Sequence, residues 1–195
     1  MIVKGTINLI FLSCIIISFS TTISKPLHFS KEKIDIKIDE GLAIVNGTYT
    51  FINKSKNVLT RTLFYPFPVD KSFIYPDSIF VSDQNNKPIP FTKSSSGIYF
   101  SITAFTDSEA TVKVTYLQRI TSNEMKYILT STQQWKQPLQ KAEYKISLPI
   151  EFDLKSLSLK PDKENSNSTH NIYYITKENF MPETDLIITW ARREK

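Results

Sequence analysis

Residues 32–39 read EKIDIKID, and this stretch decides the fold. Ile34, Ile36 and Ile38 alternate with Lys33, Asp35, Lys37 and Asp39. In an extended chain that order puts the isoleucines on one face and the charges on the other. An amphipathic helix would instead repeat its apolar residues every three to four positions. The same period of two continues downstream. Ala43, Val45, Gly47, Tyr49 and Phe51 share one face of Leu42–Ile52, and Ala110, Val112, Val114 and Tyr116 share one face of Glu109–Ile120. Ala142, Tyr144, Ile146 and Leu148 alternate with Glu143, Lys145 and Ser147 in Ala142–Pro149.

Shorter apolar runs lie between these: Val58–Tyr65, Ser78–Ser82, Pro88–Phe91, Ile98–Phe105, Met125–Thr132, Leu154–Leu159, Ile172–Thr176 and Asp185–Ala191. Thirteen Phe and nine Tyr suit a half-buried pleated surface, and ten Pro punctuate the runs. Between Tyr65 and Phe80, Pro66, Pro68 and Pro76 break the pattern, which predicts an irregular crossing or an edge. Asp83–Lys87 reads as a hairpin-type turn, because Asn tolerates positive φ. Gln133–Gln140 reads as a loop around Trp135, and residues 160–171, KPDKENSNSTHN, as a polar loop. Roughly ten to twelve short strands with brief turns predict an all-β antiparallel sandwich in one domain.

The first 24 residues are of another kind. Lys4 precedes an apolar run from Ile7 to Phe19, and the small residues Ser20, Thr21, Thr22 and Ser24 follow. The run matches the roughly 7–15 residues of a signal peptide and falls short of the roughly 20 that span a bilayer. The reading is a signal peptide at residues 1–24 and a single exported domain at 25–195, placed in the periplasm, at the cell surface or outside the cell. N-terminal sequencing of exported material should begin at Thr21 or Lys25; a chain beginning at Met1 or at an acylated Cys14 would contradict cleavage. Retention of the segment, or lipid on Cys14, would add membrane contact.

Composition removes several chemistries. Cys14 is the only cysteine, so the domain after it has no disulfide and no thiol nucleophile. The net charge of +5 is mild, and basic residues alternate with acidic ones, as in Lys31-Glu32-Lys33. That reads as a solvated face, not a nucleic-acid stripe. His28 and His170 are the only histidines, and both read as solvated loop residues, too few for a catalytic triad or a zinc site. The pairs Asp107/Glu109 and Asp162/Glu164 read as turn chemistry, not calcium ligands. Glu143, the best candidate for a paired-carboxylate glycosidase, sits on the polar face of its strand. Gly5, Gly41, Gly47 and Gly97 are too scattered for a phosphate loop. No catalytic residue, metal or cofactor is assigned.

From Gly41 to Pro149 the chain resembles the VIT domain of inter-α-trypsin-inhibitor heavy chains and bacterial envelope proteins. Three pieces carry the resemblance: Tyr49-Thr50-Phe51-Ile52-Asn53-Lys54-Ser55, Phe64-Tyr65-Pro66-Phe67-Pro68-Val69-Asp70 and Ala110-Thr111-Val112-Lys113-Val114-Thr115-Tyr116. The resemblance implies a β-sandwich that accompanies other modules, with no catalytic residues to carry over.

Aromatic residues are the remaining functional signal. Trp135 stands in the polar stretch QQWKQP, and Tyr65, Phe67 and Tyr75 fall in the proline-broken segment. Exposed aromatics on a sandwich stack on sugars or anchor a protein partner. The sequence therefore points to a non-enzymatic envelope or extracellular binding module whose partner is an envelope protein or glycan. Trp135, Tyr65, Tyr75 and Phe67 are the candidate contacts, with Trp135 expected to be largely exposed. The alternatives are a carbohydrate-active enzyme with two carboxylates and a structural subunit that assembles through an exposed strand edge.

Overall fold

A computed structural model describes residues 26–39 and 41–194. Residues 1–25, where the sequence predicts a signal peptide, and with them Lys4, Cys14 and the expected cleavage positions, lie outside these residues. Thirteen strands are described: β1 Leu27–Asp39, β2 Leu42–Asn53, β3 Leu59–Pro66, β4 Ser78–Asp83, β5 Phe91–Ser94, β6 Gly97–Ala104, β7 Ser108–Arg119, β8 Glu124–Tyr127, β9 Leu139–Pro149, β10 Phe152–Leu157, β11 Lys163–Ser166, β12 His170–Phe180 and β13 Leu186–Arg192. The protein is all-β, as the period of two predicts.

The strands form one seven-stranded sheet, β11-β12-β9-β1-β2-β7-β4, and two three-stranded sheets, β3-β6-β5 and β10-β13-β8. Ile34, Ile36 and Ile38 point into the core with Val45, Tyr49, Val112, Val114, Tyr116, Tyr144 and Ile146. These side chains make the inner face of the large sheet. The β3-β6-β5 sheet meets it at β2 and β7, and the β10-β13-β8 sheet meets it at β9. A seam is left between the two small sheets.

Among the described strands, antiparallel pairing holds except at one ladder. β1 and β9 run parallel, with Ile34 beside Tyr144 and Ile36 beside Ile146. β1 already has β2 as its hairpin partner, and β9 reaches its other edge only after the chain has crossed through β3 to β8. A long crossover permits the parallel sense.

Several sequence expectations are corrected. The predicted polar loop at 160–171 contains β11 and the start of β12, because KENS at 163–166 pairs with Tyr174–Asn171 through its backbone while every side chain stays exposed. His28 and His170 lie on strands, not loops. The run from Met125 stops as a strand at Tyr127, and Thr130–Trp135 coils into a 3-10 helix. The turn chemistry is as expected: Asn86 (φ 62°) and Asp107 (φ 46°) take the left-handed conformation.

The proline-broken segment is held in place by the core. Gln118 on β7 is buried and donates from Nε2 to the carbonyls of Pro68 (3.2 Å) and Ile74 (2.6 Å). Buried Asn53 donates to the carbonyls of Asn57 (2.8 Å), Ala104 (3.0 Å) and Phe105 (2.9 Å), closing the β2–β3 turn over the end of β6. These bonds satisfy backbone carbonyls at and beyond strand ends and fix where β3 begins and where the chain leaves it.

Candidate functional site

The seam between the small sheets holds a hollow of about 460 Å³. Phe29, Glu32, Tyr49 and Phe51 of the large sheet form its floor, Leu63, Tyr65 and Phe100 one wall, and Tyr127 with the 3-10 helix the other. A second hollow of about 370 Å³ adjoins it, bordered by Pro26, Leu27, Arg61 and Trp135. Thr62, Leu63 and Trp135 line both, so the two form one groove with the indole at its waist.

Three tyrosine hydroxyls meet at the bottom. Tyr49 lies 2.7 Å, hydroxyl to hydroxyl, from both Tyr65 and Tyr127, and Tyr65 lies 3.4 Å from Tyr127. Each tyrosine comes from a different sheet, so the trio bolts the three sheets together at the seam. Burial raises all three well above the ordinary phenol value, and they stay protonated at any physiological pH. Gly47 makes room for this arrangement, because the Tyr49 ring folds over it and a Cβ there would collide with the hydroxyl end.

Beside the trio lies Glu32, only 4% exposed. Its Oε1 accepts a hydrogen bond from the Tyr144 hydroxyl. Burial pushes its carboxyl up to about 7, against the opposing pull of that hydrogen bond. The expectation that Lys31-Glu32-Lys33 is a solvated run therefore fails at its middle residue. Glu32 is in phase with Ile34, Ile36 and Ile38, and the pleat carries it inward with them. Sequence reasoning missed this residue, although the signal was there: a charge on the apolar parity of a strand.

Trp135 is placed by its anchors. Asp185 Oδ1 accepts hydrogen bonds from Leu129 N (3.1 Å), Thr130 N (3.0 Å) and Thr130 Oγ1 (2.7 Å) at the start of the 3-10 helix. Burial opposes ionisation of Asp185, but the Thr130 bonds and Lys126 outweigh it and hold the carboxyl below the usual range. Gln133 Nε2 donates to the Pro182 carbonyl at 2.8 Å. The indole rests on Phe51 (5.4 Å between ring centroids) and Phe29 (5.9 Å). Trp135 is thus half-buried, not largely exposed as its polar neighbours suggested.

The other candidates separate. Tyr65 is buried and faces the inner hollow. Phe67 is 1% exposed, ringed by Tyr116 (5.0 Å), Tyr65 (5.4 Å) and Tyr75 (5.4 Å); it is a core residue and not a surface contact. Tyr75 is half-buried, donates to the Gly97 carbonyl at 2.9 Å and lies away from the groove. Glu143 faces outward and pairs with Lys141 at 3.1 Å. Among the described residues, no three His, Cys, Asp or Glu side chains come together as a metal site would need.

Fold and groove define an all-β sandwich with a polar-floored aromatic cleft in the seam between its two small sheets. No family model and no curated protein matches this sequence. Solved structures do match in fold. A Legionella pneumophila protein assigned as nutrient-binding superposes with a TM-score of 0.67 at 15% identity, over 86% of this chain and 67% of that one. An M1 zinc metallopeptidase from Deinococcus radiodurans superposes with a TM-score of 0.52 at 8% identity, over 85% of this chain. The chain spans only 42% of that peptidase. At such identities the likeness is one of fold alone.

Proposed function

We propose that this protein is an exported, non-enzymatic binding module that takes its ligand in the groove between its two small sheets. The observation that carries the reading is the inner hollow itself: aromatic walls over a floor of three tyrosine hydroxyls and one buried carboxyl. Most of a small ligand's surface can be covered there, with a few polar groups to orient it. Among the described residues, Glu32 is the only carboxylate lining the hollow, whereas a glycosidase of the paired type needs two. The nutrient-binding assignment of the Legionella protein is compatible with a binding role here. The VIT-like pieces belong to the same reading, since two of them, around Tyr49 and Phe64, border the groove.

Trp135 tests it. Intrinsic fluorescence should shift when the mature protein is titrated with a panel of amphipathic amines, sugars and short peptides, and the shift should vanish in Trp135→Phe. Trp135→Ala should cost about 1.5–2 kcal/mol of stability, roughly half of what a fully buried aromatic costs. It should also weaken ligand binding by about 2 kcal/mol or more, a factor of roughly 30. Ligands that bind with full affinity to Trp135→Ala would place the site elsewhere.

A further inference from the structure

Resting on the groove being the binding site, we infer that its occupant is an extended peptide, added as a strand along the free edge of β3, with a lysine or arginine side chain seated in the inner hollow against Glu32. The edge is the first ground. β3 ends its sheet, and at eight residues it is the longest edge strand; β4 and β10 have six, and β5, β8 and β11 four. Short edges are a common protection against unwanted pairing, and β3 lacks it. Across the seam stands β8, which pairs with β13 and not with β3.

The lining residues are the second ground. Arg61, Thr62, Leu63, Phe64, Tyr65 and Pro66 border the two hollows in unbroken sequence. Consecutive side chains of a strand point to opposite faces, so an unbroken run means that the groove follows the backbone edge itself. The five steps between six strand residues, at about 3.3 Å each, span roughly 17 Å, room for a five-residue segment. Main-chain hydrogen bonds would give affinity, and the hollow below would read one side chain.

The hollow's chemistry names that side chain. Among the described residues, Glu32 is the one charged residue lining it, and Tyr49, Tyr65 and Tyr127 offer hydroxyl oxygens as acceptors. Phe29, Phe51 and Trp135 present ring surfaces to an alkyl stem and its cation. A buried acid without a cationic partner is destabilising, and a neutral residue would fill the place at less cost. An incoming ammonium or guanidinium supplies the missing charge.

The probe is an acetylated, amidated pentapeptide with a central lysine between β-branched residues, titrated calorimetrically into the mature protein. Its arginine form should bind comparably. A norleucine form should bind at least tenfold more weakly, and so should a lysine form N-methylated at alternate residues, which cannot complete the ladder. Glu32→Gln should abolish the preference for lysine over norleucine. Equal binding of the N-methylated peptide would overturn strand addition, and equal binding of the norleucine peptide would overturn the basic side chain. No binding by any peptide would overturn the inference as a whole. In that case a fluorescence shift at Trp135 with n-hexylamine or a sugar would leave the groove as the binding site, and its absence would remove that reading too. A concentration-dependent dimer that protects β3 from exchange would name a second copy of this chain as the occupant and overturn the peptide.

Discussion

Phe67→Ala is expected to remove about 3–5 kcal/mol of folding stability, the usual cost of emptying a fully buried aromatic site. The ring is fully buried, packed against Tyr65, Tyr75 and Tyr116. Domains of this kind have about 5–15 kcal/mol in total, so the variant should melt far below the parent. Urea denaturation reads the effect: the midpoint should fall with the slope unchanged. Phe67→Leu, which keeps most of the apolar volume, should recover a large part of the loss. A loss under about 1 kcal/mol in Phe67→Ala would mean that the proline-broken segment is not packed as described.

The second large effect is a pH dependence that turns on one residue. Glu32 has its carboxyl raised from the usual 4.5 to about 7 by burial, against the Tyr144 hydrogen bond. The groups that bear on it are Tyr49 of β2, Tyr65 of β3, Tyr127 of β8 and Tyr144 of β9. All four are held above the ordinary phenol range, so they stay neutral while Glu32 titrates. A carboxyl raised on folding binds its proton more tightly in the native state. Its contribution is therefore fully present below about pH 4.5 and is lost as pH rises through 7. Glu32→Gln has nothing to ionise, and its amide oxygen can still accept from Tyr144. At pH 4.5 the two proteins should be nearly equal in stability. By pH 8 the variant should be the more stable by about 3 kcal/mol, the worth of a shift of roughly two and a half pH units. Parallel stability profiles from pH 4.5 to 8 would show that Glu32 does not titrate in a buried site.

Much of the fold was legible because period two is a local signal. The inward faces of β1, β2, β7 and β9 follow directly from Ile34–Ile38, Ala43–Phe51, Val112–Tyr116 and Ala142–Leu148. What escaped is what locality does not encode. β11 has no apolar residue in KENS, because its ladder with β12 is a matter of backbone groups alone. The parallel pairing of β1 with β9 joins residues more than a hundred positions apart. Trp135 lies among polar neighbours in sequence, yet it rests on Phe29 and Phe51 from distant strands. Tyr65 and Phe67 were singled out as possible contacts, but the first lines the groove and the second lies in the core. Glu32 is the instructive miss: its parity placed it inside, and only the habit of assigning charges to solvent kept it on the surface.

The groove account is tested most directly by hydrogen–deuterium exchange of the protein, with and without the lysine-centred pentapeptide. In the free protein, the amides of Leu59–Tyr65 that face the seam should exchange quickly, while those bonded to β6 stay protected. On adding the peptide, the fast set should slow markedly, together with amides of the 3-10 helix that carries Trp135. Protection confined to another edge, such as β4 or β11, or a ligand-bound protein whose β3 exchange is unchanged, would contradict the claim that the seam is where this protein binds.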